Sequence, residues 1–178
     1  MTRTAVKLAL ATIALAGAFA AQAKTSDRNQ TMQVGANHSD CTVTESGPCV
    51  LSGNVHITQG TLEIEAARAD LRQAGGEITS AKLTGSPVRL KQAMDNGGTM
   101  NATAAQVDYD LSQDTVVFTG KAVVQQPGRG SIAGERIVYN MRTGQVQGGG
   151  GENGGRVNLT FEPRNKAAAE DAKQDEKK

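Results

Sequence analysis

The 178-residue chain reads as an all-β protein on three observations. Apolar and polar residues alternate with period two along most of its length, the pattern of strands with one buried face. A unit with a glycine at a fixed place recurs around Gly53, Gly85 and Gly120, 32 and 35 residues apart. Twenty-one glycines stand against two tyrosines, three phenylalanines and no tryptophan. That balance favours many turns with β-branched stretches between them, and a core assembled from Val, Ile, Leu, Met and Ala.

In chain order, residues 1–23 read as a secretory signal peptide: Arg3 and Lys7, an apolar run over 8–20, and a small-x-small ending at Ala21 and Ala23. The run falls short of the roughly 20 apolar residues that span a bilayer. Export places the rest of the chain in an oxidising compartment. Without the leader, the 19 basic and 18 acidic side chains lose Arg3 and Lys7 and balance near −1. Such a balance gives no long-range attraction to nucleic acid. Residues 24–162 are expected to form one domain.

Cys41 and Cys49, the two cysteines, are spaced for a hairpin stapled across its turn, and we expect a disulfide. Their spacing is not that of a catalytic dithiol. His38 alone would not complete a four-ligand zinc site.

The recurring unit places an apolar-hydroxyl pair before a glycine, then an alternating stretch, then a glutamine. Its copies are LSGNVHITQ over 51–59, LTGSPVRLKQ over 83–92 and FTGKAVVQQ over 118–126. A second element follows each, over 64–71, 104–109 and 132–139, so every repeat supplies at least two strands. Parity turns Val55, Ile57, Leu62, Ile64, Val107, Tyr109, Leu111, Ile137 and Tyr139 inward. The same alternation recurs at Val157, Leu159 and Phe161. Thr115–Phe118 breaks it, which implies burial on both sides or a bulge. Helix is expected only in the leader and the tail. Residues 163–178 are charged, lack large apolar side chains and are expected to be disordered or transiently helical. The glycine run over 148–155 is expected to be a loop between two strands.

Little in the chain points to catalysis. Gly149, Gly151 and Gly154 match a dinucleotide fingerprint only formally, because no helix follows them. His56 falls on the polar face of a strand. Asp108 and Asp110 share one face, and solubilising that face is the commoner use of such a pair. No catalytic residue, metal ligand or cofactor is expected. The aliphatic inner face can either close on itself or receive an apolar ligand.

Residues 51–66, residues 85–90 with Met94–Gly97 after them, residues 104–111 and residues 118–126 together resemble, in order, the OstA-like domain of the LptA family of periplasmic lipopolysaccharide transport proteins. The resemblance spans residues 31–139. It implies a single twisted, V-shaped β-jellyroll of antiparallel strands that holds acyl chains between two sheets. It also implies a bridge between the membranes, built by head-to-tail self-association, from the inner-membrane lipopolysaccharide transporter and LptC to the LptD-LptE translocon. The lipid-facing residues it implies are Val55, Ile57, Leu62, Ile64, Leu90, Val107, Tyr109, Leu111, Phe118, Ile132 and Tyr139. Met32 and Val34 would lie in the first strand, at the end facing LptC or the preceding copy. Val157, Leu159 and Phe161 would lie in the last, facing the next copy or LptD. Arg28 and Arg89 could meet lipid phosphates. The rival readings are a ligand-free structural or adhesive β-solenoid and, third, a hydrolase working through Asp108 and Asp110.

Overall fold

A computed structural model describes residues 25–163 except 43, 45, 96 and 150–154, and omits the side chains of Thr25 and Arg28. The expected leader and charged tail lie outside the described residues. So do most of the glycine run and the Arg28 side chain.

Ten strands form one antiparallel sheet among the described residues. Two short strands, β1 (Met32–Gly35) and β2 (His38–Cys41), precede five hairpin-connected long strands and a sixth. These are β3 (Pro48–Gln59), β4 (Leu62–Ala74), β5 (Glu77–Ala93), β6 (Thr99–Asp110), β7 (Thr115–Gln126) and β8 (Gly130–Asn140). The short strands β9 (Val146–Gly148) and β10 (Asn158–Phe161) follow. Along the sheet the order is β1-β3-β4-β5-β6-β7-β8-β10, with β2 beside β1 on the edge of β3 and β9 beside β10 on the edge of β8. The two ends do not meet, so the sheet stays open.

Every pairing between long strands slips near its middle: at Ser52/Val55, Glu65/Arg68, Thr84/Val88, Thr103/Gln106 and Thr119/Ala122. Bulges bend a strand and raise its local twist. Aligned across the sheet, they make a fold line that divides it into two arms. The repeat glycines Gly53, Gly85 and Gly120 all fall on this line. At Gly120 the backbone takes φ +82°, and a Cβ would come within 2.8 Å of the Ala105 methyl. Only glycine meets both conditions without strain.

The first arm holds 55–59, 62–66, 88–93, 99–104, 122–126 and 130–134, with β1 and β10 at its edges. A cross-strand row runs through its inner face: Val34, Ile57, Ile64, Leu90, Ala102, Val124, Ile132, Leu159. The second arm holds the other half of each strand, with β2 and β9 at its edges. Its inner rows are Leu51, Ala69, Leu83, Val107, Phe118, Ile137 and Cys49, Leu71, Ala81, Tyr109, Val116, Tyr139, Val146. The buried side chains of both arms form one core.

Two expectations need correction. Helix was not expected beside the first strand, yet one 3-10 turn, Thr25–Asn29, precedes β1. A single turn carries no periodic signal, and this one is held by a distant contact: buried Asp27 accepts hydrogen bonds from Thr61 Oγ1 and from Gln92 Nε2, the latter at 3.3 Å. Residues 115–118 are neither bulged nor buried on both sides. Val116 and Phe118 point into the core and Val117 stands half-buried on the outer face. Cys41 and Cys49 are directly opposite on β2 and β3 and are joined by the expected disulfide.

Candidate functional site

The inner faces of the two arms are the feature with functional content. Of the inward-facing residues read from the sequence, Val55, Ile57, Leu62, Ile64, Leu90, Val107, Tyr109, Phe118 and Tyr139 are all buried in the common core. Leu111 and Ile132 are half-buried and pack against it. Leu111 lies one residue beyond β6, in the turn. Ile137, turned inward by parity, is buried there too, and the structure adds Leu51, Leu71, Leu83, Val88, Met94, Met100, Val116 and Val124 to this surface. Leu83 and Val88 escaped the sequence reading because the bulge between them switches inward parity from odd to even.

Among the described residues, two cavities near the rims are lined by residues of both arms. One, of about 480 Å³, lies near the β1 edge, between Met32 and Gln59 of the first arm and Ile78, Tyr109 and Leu111 of the second. The other, of about 230 Å³, lies near the β10 edge and is lined by Met94, Met100, Gln126, Ile132, Leu159 and Phe161 against Tyr139 and Val146.

The edges differ in finish. Met32 and Val34 are half-buried on β1 and pack against the core. On β10, Leu159 is 58% exposed and Phe161 80%. Leu159 pairs with Ile132 and Phe161 with Gly130, so both belong to the inner-face rows but project beyond the covered core. Gly130 permits that pairing, since a Cβ there would sit 2.0 Å from the Thr160 carbonyl oxygen. Val157 falls just before β10, with its side chain beside Gly148 and Gly134. Among the described residues, β1 and β10 each carry one edge with no strand paired to it in the sheet.

The polar groups of the outer face have local roles. Asp108 accepts from Gln106 Nε2 at 2.6 Å. Asp110 Oδ1 caps the following turn through the backbone N–H groups of Ser112 (2.9 Å) and Gln113 (3.0 Å). Both carboxylates thus have structural employment. Arg68 donates to Asp70 at 2.6 Å; this hydrogen bond and the attraction of that carboxylate raise the guanidinium pKa. Among the described residues, His56, Glu63 and Glu65 bring three potential ligand atoms within 4.8 Å of one another. These are exposed or half-exposed groups on the outer face, one short of a four-ligand structural zinc site.

The family model described as "LptA/(LptD N-terminal domain) LPS transport protein" matches residues 33–145. The chain belongs to this LptA/LptD N-terminal domain family. Among its relatives, the lipopolysaccharide export system protein LptA of Escherichia coli (strain K12) is 31% identical over 147 residues, covering 82% of this chain and 78% of that protein. LptA of Haemophilus influenzae is 29% identical over 146 residues, covering 80% of this chain and 83% of that protein. The crystal structure of LptH, described as the LptA homologous periplasmic component of the conserved lipopolysaccharide transport device from Pseudomonas aeruginosa, superposes with a TM-score of 0.69 at 24% identity. It covers 78% of this chain and 99% of LptH. The LptA-like open jellyroll expected from the resemblance is therefore the fold observed.

Proposed function

We propose that this chain is a periplasmic, non-catalytic bridge protein that binds lipopolysaccharide and carries it from the inner-membrane transporter to the outer-membrane translocon. The observation that carries the reading is a continuous apolar face, several strands long, on a sheet that folds onto itself without closing. Family membership and the naming of its relatives as lipopolysaccharide export proteins support it. Acyl chains entering between the arms replace side-chain contacts with equivalent apolar ones. Each methylene removed from water contributes roughly 0.8 kcal/mol.

On this reading Val55, Ile57, Leu62, Ile64, Leu90, Val107, Tyr109, Leu111, Phe118, Ile132 and Tyr139 face the acyl chains. The free edge of β1, with Met32 and Val34, receives LptC or a preceding copy. The free edge of β10, with Leu159 and Phe161 and with Val157 at its approach, faces the next copy or LptD-LptE. Strand addition at unpaired edges is the natural joint between such sheets. Energy comes from the transporter behind the bridge, so the chain needs neither cofactor nor catalytic group.

A photoreactive residue at Val55 or Tyr109 is expected to crosslink to lipopolysaccharide; a folded variant that never does so favours the ligand-free β-solenoid. Ile57→Asp, which forces a charge into the apolar face, is expected to abolish binding, and wild-type affinity in a folded Ile57→Asp protein would overturn the assignment of that face. The mass of the mature N-terminus tests cleavage after Ala23 and the domain boundary at residue 24.

A further inference from the structure

Each copy of the recurring unit ends in a glutamine, at Gln59, Gln92 and Gln126. The fold places these three alike. Each lies two residues beyond the last buried aliphatic of its strand, Ile57 on β3, Leu90 on β5 and Val124 on β7, and so turns to the same inner face. Register puts Gln59 opposite Leu62, Gln92 opposite Met100 and Gln126 opposite Gly130. The glutamines therefore share one cross-strand row along the rim of the first arm, from Met32 on β1 to Phe161 on β10. Successive amides are two strands apart, about 9.6 Å. Gln59 lines the cavity at one end of the row, Gln126 the cavity at the other, and Gln92 lies buried between them.

Gln92 is the informative rung. Its Nε2 donates to the Asp27 carboxylate, an acceptor that admits only the NH₂ side of the amide. That orientation turns Oε1 the other way. Oε1 is buried and accepts no hydrogen bond from the described residues. Leaving a buried acceptor unpaired is costly, so such groups persist where a partner arrives from outside or the site has another use for them. Met94 and Met100 flank it along the strand and across it, and both also line the cavity near β10. Flexible thioether side chains of this kind can move aside for a ligand.

We propose that Gln59, Gln92 and Gln126 form a rail of hydrogen-bonding rungs that engages the polar linkage groups at the head of the acyl chains, their amide N–H, hydroxyl and ester carbonyl groups, while the hydrocarbon lies on the apolar rows beside it. The inference rests on the carrier reading above and adds a specificity element to it. A primary amide both donates and accepts, so it can serve each kind of linkage group. Rungs at this spacing give the lipid successive stations from one end of the row to the other, with one Nε2 hydrogen bond already made by Gln59 to the Gln30 carbonyl (3.2 Å) and by Gln92 to Asp27. Transit along a path requires such binding, favourable enough to enter and weak enough to leave.

The test uses the full mature chain, with diphenylhexatriene as an apolar fluorescent probe and lipid A as the ligand bearing linkage groups. Gln59→Met, Gln92→Met and Gln126→Met keep side-chain length and remove the amide. Each is expected to bind diphenylhexatriene as wild type does and to bind lipid A about fivefold more weakly, the worth of one hydrogen bond. Unchanged lipid A affinity, or an equal loss for both probes, overturns the rail. Gln92→Met also strips Asp27 of a donor; if it fails to fold, Gln126→Met, at a half-exposed strand end, decides alone. Wild-type protein that binds diphenylhexatriene but not lipid A overturns the carrier reading itself, which separates that failure from failure of the rail.

Discussion

The two arms share their strands and hydrogen-bonding pattern, yet their inner faces are made of different material. Three of the chain's aromatic residues, Tyr109, Phe118 and Tyr139, lie in the second arm, within its two buried rows. That arm is edged by β2, stapled to β3 through Cys41 and Cys49. The first arm has no buried aromatic side chain among the described residues. It presents Val, Ile, Leu and Ala with three methionines, Met32, Met94 and Met100, and the glutamine row, and its edge strand β10 leaves Leu159 and Phe161 uncovered. Rigid rings stiffen a wall, whereas aliphatic and thioether side chains adapt to what lies on them. The comparison teaches that the molecule has one firm arm and one compliant arm, with the glutamine row and the exposed apolar end on the compliant side.

Truncation tests this contrast most strongly. Phe118→Ala removes a fully buried ring from the firm arm and is expected to cost about 3 to 5 kcal/mol. Met100→Ala, in the compliant arm beside the cavity near β10, is expected to cost about 2 kcal/mol, the low end for such a truncation. Urea unfolding measures both, and equal costs would erase the distinction. Opening the disulfide is the next largest effect. Cys41→Ser with Cys49→Ser should lower stability by about 2 to 3 kcal/mol through lost loop constraint and leave lipid A affinity at the wild-type value, since the staple belongs to the edge of the firm arm. A parallel loss of lipid binding would show that the firm arm's edge takes part in it. The smallest effect on stability is expected at the uncovered end. Phe161→Asp should change unfolding free energy by no more than about 0.5 kcal/mol, because the ring is 80% exposed. On the head-to-tail reading proposed above, light scattering should nevertheless show a shift from end-to-end oligomers toward single chains. Unchanged assembly would remove β10 from the joint.

Much of the molecule was legible in the chain. Period-two alternation located β3, β4, β6 and β8, and assigned Val55, Ile57, Val107 and Tyr109 to the inner face, because side-chain direction along a strand is a local property. The cysteine spacing gave the hairpin that β2 and β3 form. The repeated glycine and glutamine gave the unit. The site was legible less evenly. Leu83, Val88 and Met100 were missed because parity changes where two strands slip past one another, and a slip is a relation between strands that neither sequence encodes alone. The turn at residues 25–29 was missed because its anchor, Asp27, meets its partner Gln92 65 residues along the chain.

By itself, then, the sequence determined the strands, the apolar face and the repeat, since backbone geometry and the hydrophobic effect act residue by residue on any segment with that pattern. Tertiary structure alone decided the alignment of five bulges into one fold line, the separation of an aromatic arm from an aliphatic one, and the gathering of three distant glutamines into a single row. Each depends on register, which is fixed only when whole strands pair and bury their shared face.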